Sequence, residues 1–352
     1  MNFTFTQEQV AFRDSISRFF MTEAPPELLR EIWETDAGRS PGLRAKIAEQ
    51  GLFSLSVPEA EGGLGLGDVD WALLTQELGY YAIPDSMSDT AYVAAGLLSA
   101  LEPGHPLRAQ WLARIADGSC RIAVGHPVNP WVADAALADV LLLAHGDEVH
   151  AVPRSEAVLT PLPSIDASRR LARVEWRPGP DTLVVAGEQG KAIWAETFDR
   201  AALNVSGQLI GLAQRMLDLA VDYVAQRKQF GKPIGSFQAV KHHLADVMTK
   251  IEFAKPVLYR AVYALAHGEA HRALHVSHAK LACAETAWLA ARKAIQVHGA
   301  MGYTWEVDLQ MFMKRAWVLD AAWGDRAFHK GRVSEALLGA DAPLGPTAAF
   351  SN

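Results

Sequence analysis

The sequence predicts an α+β chain in three parts: helices, then a small β region, then a long helical bundle. Three observations predict it. Apolar residues recur at three- and four-residue spacing up to about residue 115. From about 120 to 195 the pattern changes to short β-branched runs broken by Gly, Pro, Asp and Asn. Helical spacing then returns and holds to about residue 338. At 352 residues, half of them apolar, the chain has material for a large core and for more than one domain. The expected boundaries are 1–118 (helical), 119–195 (β) and 196–340 (bundle), with 341–352 a flexible tail.

The elements follow in order. The opening stretch MNFTFTQEQVAFRDSISRFF has no basic segment leading into an apolar one, so it reads as a helix and not as a secretory leader. Thr6 and Gln9 have the spacing of a capping box. Phe12, Ile16 and Phe19 form one apolar stripe, and Leu43, Ile47 and Leu52 belong to another. Residues 58–68, PEAEGGLGLGD, form a glycine-rich loop. Gly62, Gly63, Gly65 and Gly67 follow no predicted strand, so this is an interhelical turn and not a phosphate loop. A helix over 69–78 ends at Gly79, and the next carries Ala91, Val93, Ala94, Leu97 and Leu98. The β segments centre on 122–124, 140–143, 149–152, 171–176 and 182–185, and read as one small antiparallel sheet. Four helices follow, at about 197–228, 236–267, 269–298 and 306–339. Ser236 is placed to cap the second, and Pro256 should kink or split it.

Composition excludes several functions. A net charge of −7 argues against a nucleic-acid partner. No apolar run reaches the ~18 residues that a membrane-spanning helix needs. The two cysteines, Cys120 and Cys283, are far apart and form no CxxC pair, which fits a reducing cytoplasm. His242, His243, His267, His271, His275 and His278 are numerous, and the last three of the second group share one helix face. No carboxylate joins them at ligand spacing, so they read as a solvated or interface face, and no metal is expected. Trp288, Trp305, Trp317 and Trp323 suit contacts of an oligomer-forming bundle.

The chemistry-bearing stretches lie late in the chain. In RKQFGKPIGSFQAVKHHLADV (227–247), Arg227, Lys228, Gln229 and Phe230 close one helix, and Gly231 and Pro233 break the pattern before the next. Arg227 offers an always-charged fork suited to a pyrophosphate, and Phe230 a flat apolar face. Gln296 can donate and accept, and Gly299 and Gly302 allow close approach of backbone to a ligand. The turn alone reads equally as a helix C-terminus whose basic side chains complement the dipole.

Three stretches resemble the acyl-CoA dehydrogenase family: GLFSLSVPEAEGGLGLGDVDWALLTQELGYY (51–81), GLAQRMLDLAVDYVAQRKQFGKPIGSFQAVKHHLAD (211–246) and QVHGAMGYTWEVDLQMFMKRA (296–316). The last two are specific, and the resemblance spans nearly the whole chain. It implies the family's fold: an N-terminal helical domain, a small central β domain and a C-terminal four-helix bundle. It implies FAD and an acyl-CoA substrate. A carboxylate removes the α proton, hydride leaves Cβ for the flavin, and electrons pass to an electron-transfer flavoprotein. Family members are dimers or tetramers whose FAD is shared across an interface. On that pattern Arg227, Gln229, Phe230, Gln296, Gly299, Ala300 and Gly302 contact the adenosine and pyrophosphate half of a neighbour's FAD.

The resemblance fails where the base belongs. The family's two positions for the catalytic Glu fall here on Ala201 and Trp323, and neither can take a proton. Asp199 and Asp325 each lie two residues from a slot, and two helical steps turn a side chain by about 200°. Glu196 is a further option if that helix starts differently. Asp199 otherwise suits the positive end of a helix, and Asp325 a cap or salt link. The family's flavin-ring loops are also missing from the β region, where His126 and Trp131 are the nearby aromatic groups. These losses point to one subunit of a mixed α2β2 enzyme whose partner supplies the base and ring pocket. The alternatives are a self-sufficient homo-oligomer with its base displaced to Asp199 or Asp325, and a structural partner without catalysis.

Overall fold

Thr6 and Gln9 start the first helix as a reciprocal pair: Thr6 N–H donates to Gln9 Oε1 (3.0 Å) and Gln9 N–H to Thr6 Oγ1 (3.2 Å). The structure, a computed structural model, describes residues 4–339, so the expected tail at 341–352 lies outside the described residues. The N-terminal helices are α1 (Gln7–Glu23), α2 (Pro26–Glu34), α3 (Pro41–Glu49), α4 (Asp68–Tyr80), α5 (Ala95–Ser99) and α6 (Pro106–Ala116). A π-helical stretch, Asp89–Ala94, leads straight into α5. Next come β1 (Ile122–Gly125), β2 (Trp131–Ala133), β3 (Val140–His145), β4 (Glu148–Pro153), β5 (Val158–Leu162), β6 (Leu171–Glu175) and β7 (Leu183–Val185). The remainder is α7 (Gly187–Gln226), the short pair β8 (Lys228–Gln229) and β9 (Lys232–Pro233), α8 (Gln238–Ala266), α9 (Arg272–His298), α10 (Leu309–Ala321) and α11 (Arg326–Leu338). The order is the one expected, helices, then strands, then long helices, with corrections to its details.

Compactness divides the chain into two units, each drawn from separate stretches of the sequence. One unit comprises Glu23–Trp71 and Ile83–Asn204. Its strands form two sheets, not one: β1-β3-β4-β7 and β2-β6-β5. β1 and β3 pair in parallel, and the other pairs are antiparallel. The chain between β1 and β3 crosses to the other sheet to make β2, which is what lets β1 and β3 run the same way. Short apolar runs show that strands exist and leave their pairing open. Ala123, Val132, Leu141, Leu143, Val152 and Ala172 form the core of this region. A buried ion cluster lies beside it. Burial pushes the Asp134 carboxyl up, but Arg39 and Arg121 beside it outweigh that and hold it below the usual range.

The other unit comprises the chain to Thr22, Ala72–Ala82, and the helices from Val205 onward. Here α4 and α7 touch backbone to backbone. A Cβ on Gly211 would lie 1.9 Å from Gln76 O, and one on Gly79 would lie 2.0 Å from Gln208 O. Gly79 therefore does not end α4, which runs on to Tyr80; it is a contact point between helices. α7 begins at Gly187, ten residues before the expected start. α8 passes through Pro256 unbroken, and Ser236 is not its cap. Ser236 Oγ instead donates to Pro233 O (2.7 Å) within a 3₁₀ turn, and Phe237 stands at the N-cap. The expected helix over 306–339 is two helices. Trp323 (φ +55°) and Gly324 (φ +92°) turn left-handed between them, and Asp325 restarts the chain as the N-cap of α11.

Candidate active site

Arg227 leaves the end of α7 with its N–H still bonded to Tyr223 O (2.9 Å). β8 and β9 then pair, Lys228 with Pro233 and Gln229 with Lys232. The two residues between them, Phe230 and Gly231, both have positive φ, 56° and 77°. This is the turn whose twist suits a two-residue hairpin. Glycine adopts it freely, but for Phe230 it costs about 1–2 kcal/mol. The ring is nonetheless 90% exposed, with Phe237 edge-on at 6.2 Å. Arg227, Gln229 and Lys232 are exposed too, and no ion pair among the described residues holds the Arg227 guanidinium.

The second stretch lies beside the first. The His298 ring stacks on Tyr223, with centroids 4.2 Å apart and planes 18° apart, and its Nδ1–H donates to Ala294 O (2.8 Å). Burial lowers the His298 pKa. His298 thus orders the loop and ties the end of α9 to the end of α7. Gln296, Gly299 and Ala300 are exposed on that end. Gly299 (φ +60°, ψ −138°) has a backbone that side-chain-bearing residues avoid. Gly302 differs from expectation. It is buried, and a Cβ there would press on His298 Cβ at 3.2 Å and Ile295 Cα at 3.3 Å, so packing accounts for it. Tyr303 (79%) and Trp305 (72%) follow, both exposed.

Both base positions are sealed. Ala201 is fully buried and Trp323 is 4% exposed. Asp325 is occupied as a cap, accepting from Phe328 N–H at 2.8 Å. Asp199 is buried in mid-helix, because α7 starts early; it is not at a helix start. That same early start places Glu196 one turn before Arg200, and both line a cavity of about 240 Å³ with Asp68, Tyr92, Gly96 and Ser99. Arg200 Nη2 donates to Glu196 Oε1 (2.8 Å), and Arg200 Nε and Tyr92 OH both reach Asp68 Oδ1 (3.0 and 2.7 Å). The Tyr92–Asp68–Arg200 group was missed in the sequence. Its one local signal was the i,i+4 spacing of Glu196 and Arg200. A larger cavity, about 310 Å³, lies in the other unit among α1, α4, α7 and α8 and holds none of the candidate site residues. His126 packs between Trp194 and Phe198 (5.6 Å to each ring), and burial takes its pKa down to about 4. Trp131 is 43% exposed beneath the Arg173 guanidinium. The helix histidines converge on no carboxylate at ligand distance among the described residues.

Residues 6–119 match the acyl-CoA dehydrogenase N-terminal domain, and residues 188–338 match the C-terminal domain. The chain is similar to acyl-CoA dehydrogenase IpdE2 of Mycolicibacterium smegmatis, 33% identical over 88% of this chain and 93% of that protein. It is 30% identical to acyl-CoA dehydrogenase FadE34 of Mycobacterium tuberculosis over 89% of this chain and 45% of that protein. Its fold is shared by the Mycobacterium tuberculosis ChsE4-ChsE5 complex (TM-score 0.85, 21% identity, 98% of this chain and 100% of that one). It is also that of Megasphaera elsdenii butyryl-CoA dehydrogenase (TM-score 0.81, 19% identity, 96% and 100%). The chain belongs to the acyl-CoA dehydrogenase family, and with the family come oxidation of an acyl-CoA and the cofactor FAD. The residues present suit one half of that cofactor: an exposed guanidinium for phosphate, and an exposed aromatic face held in a costly backbone conformation.

Proposed function

We propose that this chain is one subunit of a mixed acyl-CoA dehydrogenase that works with a longer homologous chain. The sealing of both base positions by Ala201 and Trp323 carries the reading. The partner supplies the carboxylate that removes the α proton, together with the flavin-ring pocket. FAD, when bound, would supply the acceptor for the Cβ hydride and the route of electrons to an electron-transfer flavoprotein. This chain's part would be to hold the ADP end: Arg227 would pair with the pyrophosphate, Phe230 would offer its apolar face, and Gln229, Gln296, Gly299 and Ala300 would frame it. Gly302 supports that frame from below. Tyr303 and Trp305, exposed beside it, suit a protein interface. The likeness to a two-protein ChsE4-ChsE5 complex is in keeping with such an assembly. Cys120 and Cys283 are buried and unpaired, which agrees with a cytoplasmic setting. Among the described residues no helix is long and apolar enough to cross a membrane.

One observation favours a second reading. Glu196 lines a cavity with about 40% of its side chain exposed, so it is the acid best placed to serve a self-sufficient homo-oligomer.

Flavin stoichiometry decides between them. The chain is expressed alone and with the longer homologue, and the flavin absorbance and native mass are recorded. The mixed enzyme gives two FADs per four chains, and little or no flavin on this chain alone. Arg227→Ala should then lower flavin content of the complex. One FAD per subunit on the chain alone, with turnover of an acyl-CoA, overturns the mixed assembly; unchanged flavin content in the variant overturns the role of Arg227.

A further inference from the structure

Along the inward face of the β3–β4 hairpin, Leu141 and Leu143 on one strand and Val152 on the other point into the core between the two sheets. The same face continues to the turn, because alternate residues share a side. There it carries His145, Glu148 and His150. His145 and Glu148 are cross-strand partners across the Gly146–Asp147 turn, and His150 lies opposite Leu143. Three successive inward positions thus switch from apolar side chains to metal-ligand types. None of this was visible as a motif, because the strand pairing brings the three together.

We propose that His145, Glu148 and His150 form a binding site for a divalent transition-metal ion of the zinc type. His145 Nδ1 lies 3.0 Å from Glu148 Oε2, and His150 Nε2 lies 3.1 Å from the same oxygen. All three ligand atoms fall within 4.8 Å of one another. A zinc ion holds nitrogen and oxygen ligands at about 2.0–2.2 Å in a tetrahedron, which puts neighbouring ligand atoms about 3.3 Å apart. The ligand set, two imidazoles and one carboxylate, leaves a fourth position on the exposed side of His145.

His150 carries a second, independent observation. It is 1% exposed, and its Nδ1 lies 3.0 Å from Thr182 Oγ1. The Thr182 hydroxyl also reaches Gly179 O (3.2 Å), so a Thr182 that donates there accepts from His150 Nδ1–H and leaves Nε2, on the Glu148 side, open to a metal ion. A second-shell group that orients a ligating imidazole through its other nitrogen is the usual support for such a site. Trp176 closes the site against the core, its ring 4.8 Å from that of His150. Trp194 Nε1–H holds Glu148 through its carbonyl oxygen (2.9 Å).

The test is calorimetric titration of the full, tag-free chain, stripped of metal, with zinc chloride, and then with cobalt chloride to read the coordination spectrum. One zinc per chain and a tetrahedral cobalt spectrum are expected. His145→Ala, at an exposed position that leaves folding alone, should abolish the cobalt spectrum. Thr182→Val should lower zinc affinity about 10- to 100-fold, in line with loss of a second-shell partner. His271→Asn with His275→Asn, in the histidine-rich helix, should leave the site unchanged. No saturable zinc binding overturns the proposal and leaves the trio a histidine–carboxylate hydrogen-bond group. Zinc binding that survives His145→Ala, or is lost in the helix variant, also overturns it.

Discussion

His329 is fully buried, and both ring nitrogens are used: Nε2–H donates to Trp323 O (2.9 Å), and Nδ1 accepts from Ser277 Oγ (3.1 Å). Lys280 holds the same turn from α9, donating to Asp320 O (2.7 Å) and Gly324 O (3.2 Å). Burial, with the Lys280 charge behind it, takes His329 down to about 4. The unfolded ring titrates near 6.5, so below that pH the unfolded chain binds the extra proton first. Stability is therefore flat above about 6.5 and falls as pH drops toward 4. Between pH 7 and pH 5 the loss from this one group is about 2 kcal/mol. Urea midpoints at the two pH values should show a steeper loss in wild type than in His329→Gln; equal losses would remove His329 as the cause. At the base position, the structure sorts acids that the sequence could not. Glu196→Gln should leave turnover of the mixed enzyme within a few-fold, whereas a general base would cost about 100-fold or more. Counting from the motifs puts the slots at Ala201 and Trp323. The burial of Asp199 was not legible, because it depends on where α7 begins, whereas the cap at Asp325 was one of the two readings the sequence offered.

Helix ends account for most of what the sequence left open. α7 was expected to start at 197 because the residues before it carry a weak apolar pattern, yet it starts at Gly187. Gly79 was read as a stop signal, and Gly324 was not read as one. A glycine marks a stop when its φ is positive, as at Gly324, and marks a close contact when a neighbour leaves no space for a Cβ, as at Gly79. Sequence shows the glycine and not its surroundings. Gly211 is of the second kind, with Gln76 O and Tyr80 N both in the path of a Cβ. Gly211→Ala should destabilise the chain by about 3 kcal/mol, the upper end for overpacking, since the obstacle is backbone and cannot move aside. A shift of the denaturation midpoint smaller than that of an exposed Gly→Ala would contradict the contact. The capping box at Thr6 and Gln9 was legible because it is a local, four-residue device. Sheet pairing, including the parallel β1–β3 pair, was not.

The whole chain was identified as a family member from three stretches, and the structure sets the two late ones side by side through the Tyr223–His298 stack. On the proposed function, they serve a neighbouring subunit. Phe230, Tyr303 and Trp305 are all more than 70% exposed, an arrangement with no benefit to a chain alone in water. The left-handed Phe230 sharpens this into a prediction. Phe230→Asn, a residue tolerant of positive φ, should raise the stability of the isolated chain by about 1 kcal/mol. The same change should weaken flavin retention in the assembled enzyme. Thermal melts and flavin release rates read the two effects separately, and a loss of stability in the variant would show that the tip is not strained.

That hairpin tip therefore sets the chain's interests against each other. On the proposed function, variation that relaxes the turn should make a sturdier orphan and a poorer subunit. On that same function, the left-handed backbone of Phe230 is a cost that one chain carries for the use of its neighbour.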